Sequence, residues 1–115
     1  MITIYHNPRC SKSREALALI EANGHAPVII DYLKAPPDAA TLKKLLTALG
    51  LEARALLRSK EAEYAELGLD DSHLDEAALI AAMVAHPRLI ERPIVVSGRR
   101  AVIGRPPERV LELLK

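Results

Sequence analysis

The one cysteine of the chain, Cys10, lies in the stretch YHNPRCSKSR (residues 5–14) beside Arg9, Lys12 and Arg14, and no acidic residue precedes Glu15. This setting suits two kinds of chemistry. A thiol at a helix N-terminus and near cations ionises well below the ~8.5 of free cysteine, which makes Cys10 a candidate nucleophile. The same features favour any anion, because the helix start offers unpaired N–H groups and the positive end of a dipole. Ser11, Lys12, Ser13 and Arg14 are therefore candidates to hold an oxyanion against the sulfur. The bland alternative is a small buried hydrophobe, the commonest fate of a free cysteine. The polar neighbours Arg9, Ser11, Lys12 and Ser13 do not form a core pattern and favour the reactive thiolate. His6, four residues earlier, is either a cation that favours the thiolate or an ordinary polar strand-end residue, and spacing leaves both open.

A tetrahedral oxyanion presents paired oxygens that match the planar fork of arginine, so arginines from elsewhere in the fold are needed. Arg58 ends ARALLR (53–58), where a cation complementing a helix C-terminus is the simpler role. Arg92 precedes Pro93 at a chain turn, and Arg105 follows Gly104 at the end of a strand. From residue 92 to residue 105 there are four arginines and no acid; Arg99 and Arg100 read as the solvated tip of a hairpin. His25, His73 and His86 are scattered, and with a single cysteine and no paired ligand spacing a structural metal site is not expected.

The elements that must position these groups follow from the pattern of residue types. ITIY (2–5) is a short β-branched and aromatic strand ending at Asn7-Pro8. From Ser13, Ala16, Leu17 and Ile20 fall at helical spacing, and Asn23-Gly24 supplies the stop. Cys10 thus sits between a strand and a helix start. PVIIDY (27–32) reads as a second strand and completes a β-α-β unit, whose crossover is right-handed. Asp38 caps a helix carrying Leu42, Leu45, Leu46 and Leu49 at i, i+3, i+4, i+7. Short helices are expected at 53–58 and 60–67, and a further stripe at Leu79, Ile80, Met83 and Val84 ends at His86 before Pro87. PIVV (93–96), a turn at 98–100 and AVI (101–103) form a hairpin, and a final helix begins at Pro106. The fold class is α/β: a four-stranded mixed sheet built as βαβ and then ββα, thioredoxin-like, with helices inserted at about 36–86.

Composition sets the remaining bounds. The 115 residues fit a single domain over 1–115. Half are apolar, and 16 basic residues face 15 acidic ones, which is a folding composition and not a disordered one. There is no Phe or Trp, so base-stacking nucleic-acid surfaces are disfavoured and no direct nucleic-acid partner is expected. No apolar run approaches the ~18–20 residues of a membrane span, and the start lacks a secretory pattern. No membrane partner and a cytoplasmic location are expected, where a lone cysteine stays a free thiol.

Four segments carry a resemblance: YHNPRCSKSR, RALLRSKEAEYAELGL (54–69), HPRLIERPIVV (86–96) and IGRPPERVLELL (103–114). Together, and in order along the chain, they resemble the glutaredoxin-dependent arsenate reductase family, a thioredoxin-fold family. The resemblance implies that Cys10 is the nucleophile, that His6 helps it ionise, and that Arg58, Arg92 and Arg105 gather round the oxyanion. It implies a cis Arg92–Pro93 bond. It also implies reduction of arsenate to arsenite with no bound cofactor, glutathione as co-substrate, and a glutaredoxin as the external dithiol, since the chain has no second cysteine. The basic C-x-x-S loop is similar as well to the Spx-like regulators that bind RNA polymerase. Many of those carry a second cysteine where this chain has Ser13, so a single-thiol regulator is the alternative, beside a family member with another oxyanion substrate.

Overall fold

The computed structural model describes residues 1–114 and divides into two units, one made of residues 1–35 with 92–114 and one of residues 36–91. Among the described residues no helix is long and apolar enough to cross a membrane.

The first unit holds four strands, β1 (Ile2–His6), β2 (Val28–Asp31), β3 (Ile94–Ser97) and β4 (Arg100–Ile103), in the order β2-β1-β3-β4. β1 and β2 are parallel, with Ile4 opposite Ile29; β1–β3 and β3–β4 are antiparallel. The α/β class with a four-stranded mixed sheet is therefore observed. Helix α1 (Ser11–Ala22) crosses between β1 and β2. Residues two apart on a strand share a face, so Ile2 and Ile4 point the same way. They meet Ala16 and Ile20 of α1, Val95, Val102, and Val110 and Leu113 of a terminal helical segment in one aliphatic core. Each fully buried Ile, Leu or Val contributes about 1.5–3 kcal/mol relative to its exposed state.

That terminal segment departs from the sequence expectation. It opens with prolines as foreseen, but it winds as a 3₁₀ helix over Pro107–Leu113. The i→i+3 winding still turns Val110 and Leu113 to one side, and so the apolar face survives the change of helix type. Arg92–Pro93 is cis, and so is Arg105–Pro106, which the sequence had not suggested.

In the second unit, α2 (Ala39–Leu49) and α5 (Glu76–Ala85) are capped by Asp38 and Asp75, which accept from Thr41 N–H and Ala78 N–H, each at 2.8 Å. Their stripes bury Leu42, Leu45 and Leu46 and, on α5, Leu79, Ile80 and Met83. Gly50 takes φ +69°, the left-handed stop that α2 needs. The two short helices, α3 (Ala53–Leu56) and α4 (Ala62–Glu66), are briefer than expected. α3 ends early because its last residues pair with the strand-like stretch at Ile90: Arg58 N–H donates to Leu89 O at 2.8 Å and Glu91 N–H to Leu56 O at 2.9 Å.

Candidate active site

The first unit brings both ends of the sequence to Cys10. The chain leaves β1 at His6, turns through Asn7-Pro8-Arg9 and enters α1 with Cys10 as its N-cap. The turn is held by Cys10 N–H donating to Asn7 O and Arg9 N–H donating to Asn7 Oδ1, both at 3.0 Å. Cys10 provides no side-chain cap. The first N–H groups of α1, which no helix can satisfy internally, therefore receive no acceptor from the N-cap side chain, and the positive end of the helix is open to an anion. Cys10 is a free, buried thiol.

Arg105 supplies the charged donor. Its Nη2 donates to Cys10 Sγ at 3.4 Å while its Nε donates to Arg92 O at 2.7 Å. The main chain at Arg92 thereby orients a guanidinium toward the sulfur. Gly104, the residue before Arg105, packs its backbone closely against its neighbours. A Cβ at that position would lie 2.9 Å from Pro93 Cγ, 3.2 Å from Val110 Cγ1 and 3.3 Å from Ala16 Cβ.

Behind the loop is a buried polar pair that sequence reasoning did not assemble. His6 continues the inward alternation of Ile2 and Ile4, and Ser13 precedes Ala16 and Ile20 on the buried face of α1. Both side chains are buried, with His6 Nδ1 2.6 Å from Ser13 Oγ. Ser13 Oγ also accepts from Asn7 N–H at 3.0 Å. The set is satisfied when the Ser13 hydroxyl donates to Nδ1, which leaves the His6 proton on Nε2. Burial lowers the His6 pKa below its ordinary 6.5, Asp31 pulls it back up, and the Arg14 charge lowers it further. Of the two roles open to His6, this environment favours the neutral imidazole over a cation. The available signal was parity: residues 2, 4 and 6 on the strand and 13, 16 and 20 on the helix share their inner faces.

The remaining candidates are placed as follows. Ser11 and Lys12 are exposed in the first turn of α1, and Lys12 Nζ lies 3.6 Å from Glu15. Arg14 Nη1 donates to Pro8 O at 2.9 Å. Arg58 belongs to the second unit, where Nη1 is 2.5 Å from Glu61 Oε1 and Nε is 3.6 Å from Glu91 Oε1. Glu61 also binds Arg88, at 3.3 Å.

A buried thiol hydrogen-bonded by arginine at an open helix N-terminus can bind a small oxyanion and attack it. Comparisons with known proteins show what the whole chain is similar to. A family model described as the ArsC family matches residues 5–113. A protein of Escherichia coli, uncharacterized protein YfgD, is 59% identical over 98% of this chain and 96% of its own length. An arsenate reductase of Neisseria meningitidis serogroup A is 49% identical over 98% of this chain and 97% of its own. Among solved structures, an arsenate reductase from Vibrio cholerae superposes with a TM-score of 0.96 at 57% identity, covering 97% of this chain and 96% of that one.

Proposed function

Because this chain belongs to the ArsC family, we propose that it reduces arsenate to arsenite by nucleophilic attack of Cys10, with glutathione and a glutaredoxin as the source of electrons. The observation that carries the reading is the Arg105 Nη2 to Cys10 Sγ hydrogen bond, set by the anchoring of Nε on Arg92 O.

The chemistry follows from these groups. The Cys10 thiolate attacks arsenic(V), an As–S bond forms and an oxygen leaves as water. The negative charge that collects on the arsenate oxygens is offset by Arg105 and by the first N–H groups of α1, donors already in place before the reaction begins. Glutathione then adds at arsenic in the same way. When the two sulfurs join, arsenic takes up the electron pair and leaves as arsenite, and Cys10 remains as a mixed disulfide with glutathione. The chain has one cysteine, so an external dithiol of the glutaredoxin kind must attack that disulfide and return Cys10 to the thiolate. Arg92 and Arg58 enter as further oxyanion ligands on the resemblance of their segments. Phosphate has similar shape and charge, but thiols do not reduce it, so discrimination lies in the redox step.

The test is arsenite formation by the purified protein with glutathione, glutaredoxin and NADPH-coupled glutathione reductase. Turnover that disappears in Cys10→Ser is expected. Absence of turnover by the folded wild-type protein would overturn the reading.

A further inference from the structure

The Pro8–Arg9 peptide unit is held at both of its polar ends. Its carbonyl, Pro8 O, accepts from Arg14 Nη1 at 2.9 Å, and its N–H, on Arg9, donates to Asn7 Oδ1 at 3.0 Å. A peptide unit is a rigid plane, so one bond at each end fixes its rotation. One clamp comes from the loop and one from the helix: Asn7 opens the loop, and Arg14 lies in α1 one helical turn after Cys10, with its own N–H donating to Cys10 O at 3.0 Å. We propose that Arg14 is a positioning residue, whose guanidinium locks the peptide plane leading into Cys10, and not a ligand of the oxyanion. The inference rests on the oxyanion reading of the Cys10 loop.

A geometric contrast separates the two roles. Arg105 uses two different nitrogens of one planar fork on two acceptors, a preorganised geometry that a lysine ammonium does not supply. Arg14 has a single bond to one carbonyl, and a lysine can make that bond. Released from Arg14, the plane can rotate, and a small misplacement of the nucleophile acts on the chemical step and not on binding.

The experiment is steady-state arsenate reduction by wild type, Arg14→Ala, Arg14→Lys and Arg105→Lys. Arg14→Ala is expected to lower kcat about three- to tenfold with KM within about twofold of wild type. Arg14→Lys restores kcat, whereas Arg105→Lys remains impaired. A readout independent of arsenate turnover accompanies it: protection of Cys10 from iodoacetamide by inorganic phosphate. The phosphate concentration for half-protection should be the same in Arg14→Ala and wild type. Should Arg14→Ala melt, Arg14→Met keeps the apolar stem and carries the same test. A raised KM or weakened phosphate protection in Arg14→Ala makes Arg14 a ligand and overturns the proposal, as does an Arg14→Lys no better than Arg14→Ala. Wild-type kinetics in Arg14→Ala overturn it too. A wild-type protein that is inactive on arsenate but protected by phosphate faults the assigned substrate, and the half-protection concentration then still decides whether Arg14 is a ligand: weaker protection in Arg14→Ala overturns the proposal.

Discussion

Arg105 and Cys10, 95 residues apart in the chain, are joined by a hydrogen bond from Nη2 to Sγ of 3.4 Å. The bond is specific because the other side of the same guanidinium is fixed on Arg92 O. A lysine at this position lacks the rigid planar fork that holds both acceptors at once. Arg105→Lys and Arg105→Ala should therefore each lower kcat by about 10²–10³, the usual cost of removing one preorganised donor. The measurement is arsenite release under saturating glutathione, and a lysine variant within about twofold of wild type would refute the two-acceptor argument.

Burial keeps His6 below its ordinary pKa, and this ties stability to pH. Between the folded-state value and 6.5 the unfolded chain takes up a proton that the folded chain refuses, so stability rises with pH through that window. The contribution is fully present above pH 6.5 and is lost as pH falls through the His6 pKa of the folded protein. Urea midpoints measured from pH 7.5 down to 5.0 should fall more steeply for wild type than for His6→Gln. Parallel curves would show that His6 titrates as it does in the unfolded chain.

The ion pairs of the second unit differ in expected worth. Glu61 joins Arg58 and Arg88, and the Arg58 and Glu61 side chains are only 21% and 16% exposed. Glu61→Gln should cost about 1–2 kcal/mol, because it weakens a largely buried charge-assisted bond. Arg88, at 66% side-chain exposure, belongs to the weak surface class, and Arg88→Ala should cost less than ~1 kcal/mol. Urea unfolding of both variants at one pH decides the order, and equal costs would mean that burial does not set it.

Among the glycines, Gly104 alone has neighbours within 4 Å of an added Cβ. With Pro93 Cγ only 2.9 Å from the position of an added Cβ, Gly104→Val should destabilise the fold by about 1–3 kcal/mol through overpacking. It should also lower arsenate turnover, since Arg105 is the next residue. Unchanged melting and unchanged turnover together would show that the segment yields without cost.

Much of this arrangement was legible in the sequence. The β-branched runs, the leucine stripe of α2 and the Pro and Gly stops marked their elements, because side-chain period and turn chemistry are local properties. The placement of Cys10 at a strand-to-helix junction followed from the same signals. Other features depended on partners distant in the chain. Nothing local to Arg105 announces that its Nε anchors on Arg92 O, and nothing near Arg58 points to the carboxylate of Glu91. The His6–Ser13 pair was written in the alternation of β1 and the spacing of α1, but it becomes visible only when both buried faces are read together. The 3₁₀ winding of Pro107–Leu113 was hidden because its apolar residues, three apart, fit either helix type.

The unit that holds Cys10 is assembled from two separate pieces of chain, residues 1–35 and 92–114, with residues 36–91 between them. During synthesis the two pieces emerge at different times. A growing chain that has emerged only as far as residue 91 contains the thiol and its turn but neither β3 nor Arg105. Closing so long a loop costs conformational entropy before any contact repays it, and contacts of this range slow folding. Cys10 thus meets Arg105 only among the last events of folding, and a chain that ends before β3 lacks the hydrogen bond between them.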